Sequence, residues 1–178
     1  MNRVLATFIA LLMLSSGTVH AGGFTVQEEL GQTHLAGKGS YRWFGIKLYE
    51  AYLWQEKGGR ADTALLDGRF VLELVYSREL QGERIAASSI DEIRKLNMGS
   101  PVQHAAWSSL MRQVFPDVHE GTRLSGVYQA GQGVRFYRDG VLLKEINDAD
   151  FARAFFSIWL DERTSAPRLR KQLLGQIS

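Results

Sequence analysis

"GKGSYRWFGIKLYEAYLW", Gly37–Trp54, is the stretch on which the reading of this chain turns. Aromatic and aliphatic almost throughout, it reads as one long β-strand opened by the Gly37/Gly39 pair and closed by Gly58-Gly59. Strand side chains alternate, so Tyr41, Lys47 and Tyr49 share one face, and Arg42, Phe44, Ile46 and Leu48 the other. Phe44, Ile46 and Leu48 require the dry side, which leaves Lys47 and Tyr49 for a side able to hold a polar ligand head. An ammonium buried there needs an anion to offset its desolvation, and a carboxylate would supply one. Gly45 leaves the position of Arg42 open: a bulge would return it to the face of Tyr49, whereas a glycine kept for close packing would leave it beside Glu50 as an ion-pair partner. Lys47 also has a plainer role available as a snorkelling edge lysine, and Tyr49 as a core tyrosine with its hydroxyl at the rim.

Outward from this stretch the punctuation is made of turns. A short strand is expected around Phe24 to Glu29. "GRFVLELVYSR", Gly68 to Arg78, reads as a second long strand with Phe70, Leu72, Leu74 and Tyr76 on one face. Spacing then becomes helical from Glu83 to Leu96, and a second helix runs from Pro101 to Phe115, ended by Pro116. Thr122 to Ile146 is a three-strand meander with turns at Ala130–Gly133 and at Asp139-Gly140. Asn147 or Asp148 caps the next helix, whose stripe carries Phe151, Phe155, Ile158 and Trp159, and Ser165 caps a last one through Leu174. Strands and helices in this order do not form βαβ units, so the class is α+β, an antiparallel sheet with helices packed on it.

The 178 residues, 45% hydrophobic, suffice for one domain with a substantial core. Residues 1–21 carry Arg3, an apolar run from Val4 to Leu14, and Val19 and Ala21 at signal-peptidase spacing. They predict a cleaved leader, a domain over 22–178 beginning at Gly22, a periplasmic location and no membrane anchor after cleavage. With no cysteine, stability must come from the core. Twenty-one Lys and Arg against nineteen Asp and Glu give +2, or +1 without Arg3, and leave no electrostatic footprint for nucleic acid. His20, His34, His104 and His119 show no metal-ligand spacing, "GKGSYR" is not a phosphate loop, and the serine pairs Ser88-Ser89 and Ser108-Ser109 lack a glycine elbow, so no metal or cofactor is expected.

"LAGKGSYRWFGIKLYEAYLW", with its glycines, aromatic strand and Y-x-A-x-L ending, resembles the chalcone isomerase-like family in its exported bacterial branch. "FVLELVYSRELQGERIAASSIDEI" and "GVRFYRDGVLLKEINDADFARAFFSIWLDERTSAPRLRKQLLG" are similar to the family's strand with first helix and to its hairpin with closing helices. The resemblance implies an open-faced β-sandwich: a large antiparallel sheet against a layer of helices, with a ligand cleft between. It also implies that the tyrosine of the fatty-acid-binding branch falls on Tyr49, and that the family's arginine falls on Tyr41, one place before Arg42. The catalytic branch uses a helix tyrosine followed seven residues later by an asparagine; here Asn97 stands at the second position and Ile90 at the first. An isoleucine cannot donate to an oxyanion, and losing one such donor costs about 2.7 to 4 kcal/mol in a transition state. The expectation is therefore a non-catalytic domain binding a small amphipathic, anionic, fatty-acid-like ligand through Tyr49, Lys47, Arg42, Tyr41 and Asn97. The alternatives are a protein-interaction module whose cleft has collapsed around Trp43, Trp54 and Trp159, and, third, an intramolecular lyase or isomerase.

Overall fold

Both central residues of the tetrapeptide Trp43-Phe44-Gly45-Ile46 have left-handed backbone, Phe44 at φ 46° and Gly45 at φ 78°. This is the dihedral signature of a type I′ turn, whose twist matches that of the strands it joins. In the computed structural model, which describes residues 25–57 and 62–177, the quoted stretch is accordingly a hairpin, β1 (Thr33–Trp43) and β2 (Ile46–Glu56), rather than one long strand. The turn hides in the sequence because Phe44 occupies a position that ordinarily calls for Asn or Gly. Left-handed backbone at such a residue costs on the order of 1–2 kcal/mol. Gly45 is the turn itself, so the bulge considered there is absent. The irregularity falls instead at Leu48: Tyr41 pairs with Tyr49 and Arg42 with Lys47, which leaves Leu48 unpaired.

β3 (Arg69–Tyr76), β4 (Arg123–Gln129), β5 (Gly133–Arg138) and β6 (Val141–Ile146) extend the hairpin into one antiparallel sheet in chain order, β1 to β6. The helices expected from the periodicity form as α2 (Gly82–Lys95), α3 (Pro101–Val114), α4 (Ala149–Leu160) and α5 (Pro167–Leu173). Ser100 and Gln103 build a capping box at α3, and Asp148 caps α4 by accepting from Phe151 N at 2.9 Å. Ser165 does not cap α5; the Thr164 hydroxyl accepts from Ala166 N at 3.1 Å instead.

One sheet face and the helices enclose the core. Phe70, Leu72, Leu74 and Tyr76 of β3, with Tyr128 and Phe136, meet Phe151, Phe155, Phe156 and Trp159 of α4. Phe151 is fully buried and packs edge-on to Trp107 and Phe136 and stacked on Phe155. Gly37, read as the opening of the strand, lies inside β1 where α5 crosses it: a Cβ there would sit 2.1 Å from the Gln172 carbonyl oxygen.

Residues 26–30 form a short helix, α1 (Val26–Leu30), not a strand. Thr25 and Glu28 explain this, since the Thr25 hydroxyl accepts from Glu28 N while the Glu28 carboxylate accepts from Thr25 N, a capping box that closes the first turn. α1 lies on the other face of the sheet, where Leu30 meets Val71, Val127 and Tyr137, and where Glu29 accepts from Arg69, Arg135 and Tyr137. Phe24 and the leader, residues 1–21, fall outside the described residues. Within the described residues no helix is long and apolar enough to cross a membrane.

Candidate functional site

A cleft of about 670 Å³ opens between the inner sheet face and helices α2 and α4. Its interior is aliphatic and aromatic, with Leu72 and Leu74 on the floor and Phe155, Phe156 and Trp159 on the α4 side. Three tyrosines cross the floor because register places them in one row: Tyr41 opposite Tyr49, and Tyr49 opposite Tyr76. Tyr41 and Tyr49 stack with centroids 5.2 Å apart, and Tyr76 meets Tyr49 edge-on at 5.8 Å. Trp159 Nε1 donates to the Tyr49 hydroxyl at 3.0 Å, so the Tyr49 proton is left without a protein acceptor among the described residues. The Tyr76 hydroxyl, also at the cleft, has no hydrogen-bond partner there. Burial pushes both phenols well above the ordinary tyrosine range, offset at Tyr49 in part by the Trp159 hydrogen bond. Both are therefore neutral donors at physiological pH and unsuited to act as bases.

The mouth is built by the segment after β3 and by one side of α2. Arg78 and Glu79 precede the helix, and Arg84, Ser88, Glu92 and Lys95 recur along it at helical spacing. Glu92 holds Lys95 at 2.6 Å and Asp91 holds Arg94 at 3.1 Å. Arg78 and Arg84 are exposed, and among the described residues neither guanidinium has a carboxylate partner. No cluster among the described residues could hold a metal ion.

Of the residues singled out from the sequence, the cleft brings together Tyr41 and Tyr49 and leaves out the other three. Lys47 is a correction: the bulge at Leu48 points both Leu48 and Tyr49 into the cleft and turns Lys47 to the opposite face, where it pairs with Glu50 at 3.0 Å. That bond, first among several effects, holds the Glu50 carboxyl below its ordinary range. Arg42 follows Lys47 away from the cleft and donates to the Gly45 carbonyl at 3.0 Å, bracing the turn. Asn97 is exposed at the end of α2 with φ 55°, donating its N–H to Arg94 O; it terminates a helix and does not reach the cleft. Nor is the cleft collapsed. Trp43 and Trp159 line it, while Trp54 packs on the other sheet face. Sequence reasoning missed Tyr76, Trp159, Arg78 and Arg84 as site residues. Tyr76 and Trp159 sat on stripes already read as core, and nothing local marks Arg78 or Arg84.

Because the Lys47–Glu50 pair is half-exposed and outside the cleft, Lys47→Met is expected to change ligand affinity by less than about twofold and stability by no more than ~1 kcal/mol. Titration of the variant against the parent checks this. A tenfold loss of affinity would contradict the geometry just described.

A sheet covered on one side by helices, with a mostly apolar cleft between the layers, defines an open-faced α+β sandwich. The chain belongs to the chalcone isomerase-like family, whose profile matches residues 23–175. It is 29% identical over 142 residues to an uncharacterized protein of Haemophilus influenzae, covering 79% of this chain and 67% of that one. Among solved structures it is similar in fold to a fatty-acid binding protein of Arabidopsis thaliana, with a TM-score of 0.64, 10% identity, and coverage of 82% of this chain and 88% of that one.

Proposed function

We propose that this domain binds one amphipathic, anionic molecule of the fatty-acid class, with its apolar body in the cleft and its carboxylate at the mouth against Arg84 and Arg78. The observation that carries this reading is an open cavity of about 670 Å³, lined mostly by aliphatic and aromatic side chains and rimmed by two arginines without carboxylate partners among the described residues. Small-molecule sites commonly enclose roughly 300–1,000 Å³ of this character. The head belongs outside because the buried polar side chains lining the interior are hydroxyls and an indole, none of them cationic, and a carboxylate buried without a cation would lose more in desolvation than such groups return. Tyr49 and Tyr76 then serve a neutral polar group on the ligand, or water. The fatty-acid binding protein of the same fold supports the ligand class.

No acid–base pair supports enone chemistry in this reading. Burial holds Tyr49 and Tyr76 neutral, and Ile90, standing where the catalytic branch has its tyrosine, is buried in the core. Together with the leader expected over residues 1–21, the reading makes this a periplasmic binder of such molecules.

Native mass spectrometry of protein purified without added lipid, followed by titration with palmitate, tests the proposal. Bound fatty acid or measurable palmitate affinity is expected. Arg84→Ala should weaken palmitate about tenfold, as loss of one charge-assisted contact of roughly 1.5 kcal/mol implies. Protein that is repeatedly empty and fails to bind any fatty acid at millimolar concentration defeats the reading.

A further inference from the structure

The tip of the β1–β2 hairpin breaks the rules of its own turn. Trp43, Phe44 and Ile46 are 59%, 85% and 50% exposed, three large apolar side chains side by side. Phe44 occupies a left-handed position that Asn or Gly would hold without strain, and its ring touches Trp43 edge-on at 4.8 Å while facing solvent. Folding gains little from a phenylalanine there. A residue that is locally unfavourable and has no compensating burial points to a contact made outside the chain.

Two further observations say what that contact is. The tip is continuous with the cleft: Trp43 and Ile46 are exposed at the tip and also line the mouth. Charge around it is one-sided. Lys47, Arg94 and Lys95 are each paired with an acidic neighbour, which leaves Arg42 below the turn and Arg78 and Arg84 at the mouth without a carboxylate partner among the described residues, against Glu79 as the one cleft-lining acid without an ion-pair partner among them. Aromatic side chains at an exposed apex, with Arg42 below the turn and Arg78 and Arg84 on the adjoining cleft, all without a carboxylate partner among the described residues, match the boundary between headgroups and acyl chains of an anionic bilayer.

We propose that the Trp43-Phe44-Gly45-Ile46 turn docks on an anionic lipid surface, with the cleft mouth facing the bilayer. Phe44 and Trp43 enter the interface while the arginines meet lipid phosphates. The docking requires no particular occupant of the cleft, so it stands or falls separately from the binding reading. It would nevertheless place the mouth where an amphipathic molecule could pass between membrane and cleft without crossing water.

The test is co-sedimentation with vesicles of phosphatidylcholine containing about a third phosphatidylglycerol, and with vesicles of phosphatidylcholine alone. Parent and variants are compared in the form the cell accumulates, so that any contribution of residues 1–21 is common to all. The parent is expected to partition onto the anionic vesicles and at least tenfold less onto neutral ones. Phe44→Asn suits the turn better, so its melting temperature should equal or exceed that of the parent while anionic-vesicle partitioning falls at least fivefold. Trp43→Ser should lose partitioning as well, and Val102→Ser, which removes an 80% exposed apolar side chain on α3, should not. The proposal is overturned by a parent that stays in solution with anionic vesicles, by equal partitioning onto both compositions, or by a folded Phe44→Asn that binds like the parent. A Phe44-dependent dimer without vesicle binding, seen by sedimentation velocity, overturns it in favour of self-association.

Discussion

Ser89→Phe is expected to abolish palmitate binding, by at least a hundredfold or about 2.7 kcal/mol, while leaving a folded protein. Ser89 sits on the inner side of α2, is 7% exposed and lines the cleft. A phenyl ring at this position would project into the space the ligand body needs. The serine hydroxyl bonds only to the Ile85 carbonyl of its own helix at 2.8 Å, an acceptor that retains its helical partner, so its removal leaves no buried group unsatisfied. The ring has an existing cavity to enter, which distinguishes this change from overpacking a filled core. Circular dichroism with thermal melting reports the fold, and palmitate titration reports the site. A folded variant that binds palmitate like the parent would place the ligand somewhere other than this cleft. Arg84→Ala separates the two parts of the proposal: body blocked but head intact in one variant, head lost but body space intact in the other.

The largest expected loss of stability follows from Phe151→Ala, about 3–5 kcal/mol, or a fall on the order of 10 °C in melting temperature. Phe151 is fully buried and joins three aromatic neighbours, Trp107 of α3, Phe136 of β5 and Phe155 of α4. Removing it opens a void at the junction of two helices and the sheet. The aromatic neighbours cannot collapse freely into that void, because Trp107 Nε1 is tied to the Asp148 carboxylate at 3.1 Å and the same carboxylate caps α4. Denaturant unfolding of parent and variant measures the difference; a loss under 1 kcal/mol would mean that the core at this junction repacks. Phe151 does not line the cleft, so palmitate affinity measured well below the melting transition should change little.

Much of the fold was legible because its signals are short-ranged. The β3 stripe Phe70-Leu72-Leu74-Tyr76 and the α4 stripe from Phe151 to Trp159 each lie within one element, the Asp139-Gly140 turn joins two adjacent strands, and each appears where the pattern places it. The errors occur where two local signals compete. Thr25 and Glu28 close a capping box in a segment read as strand, and Phe44 masks a turn whose backbone is that of Asn-Gly.

By itself the amino-acid order determined the α+β class, the extents of most strands and helices and, through the pattern of its motifs, the family, because alternation, helical spacing and caps act over a few residues. Tertiary structure alone decided which polar groups meet. A single unpaired residue, Leu48, reverses the faces on which Lys47 and Tyr49 would otherwise agree, and a one-residue change of register moves a side chain from one side of a sheet to the other. Tyr76 and Trp159 reach Tyr49 from positions 27 and 110 residues away along the chain, Arg78 reaches the mouth on the segment that leaves β3, and Arg84 reaches it on α2. No local pattern carries such distances: the cleft, its hydroxyls and its arginines exist only once strand pairing and helix packing have brought them together.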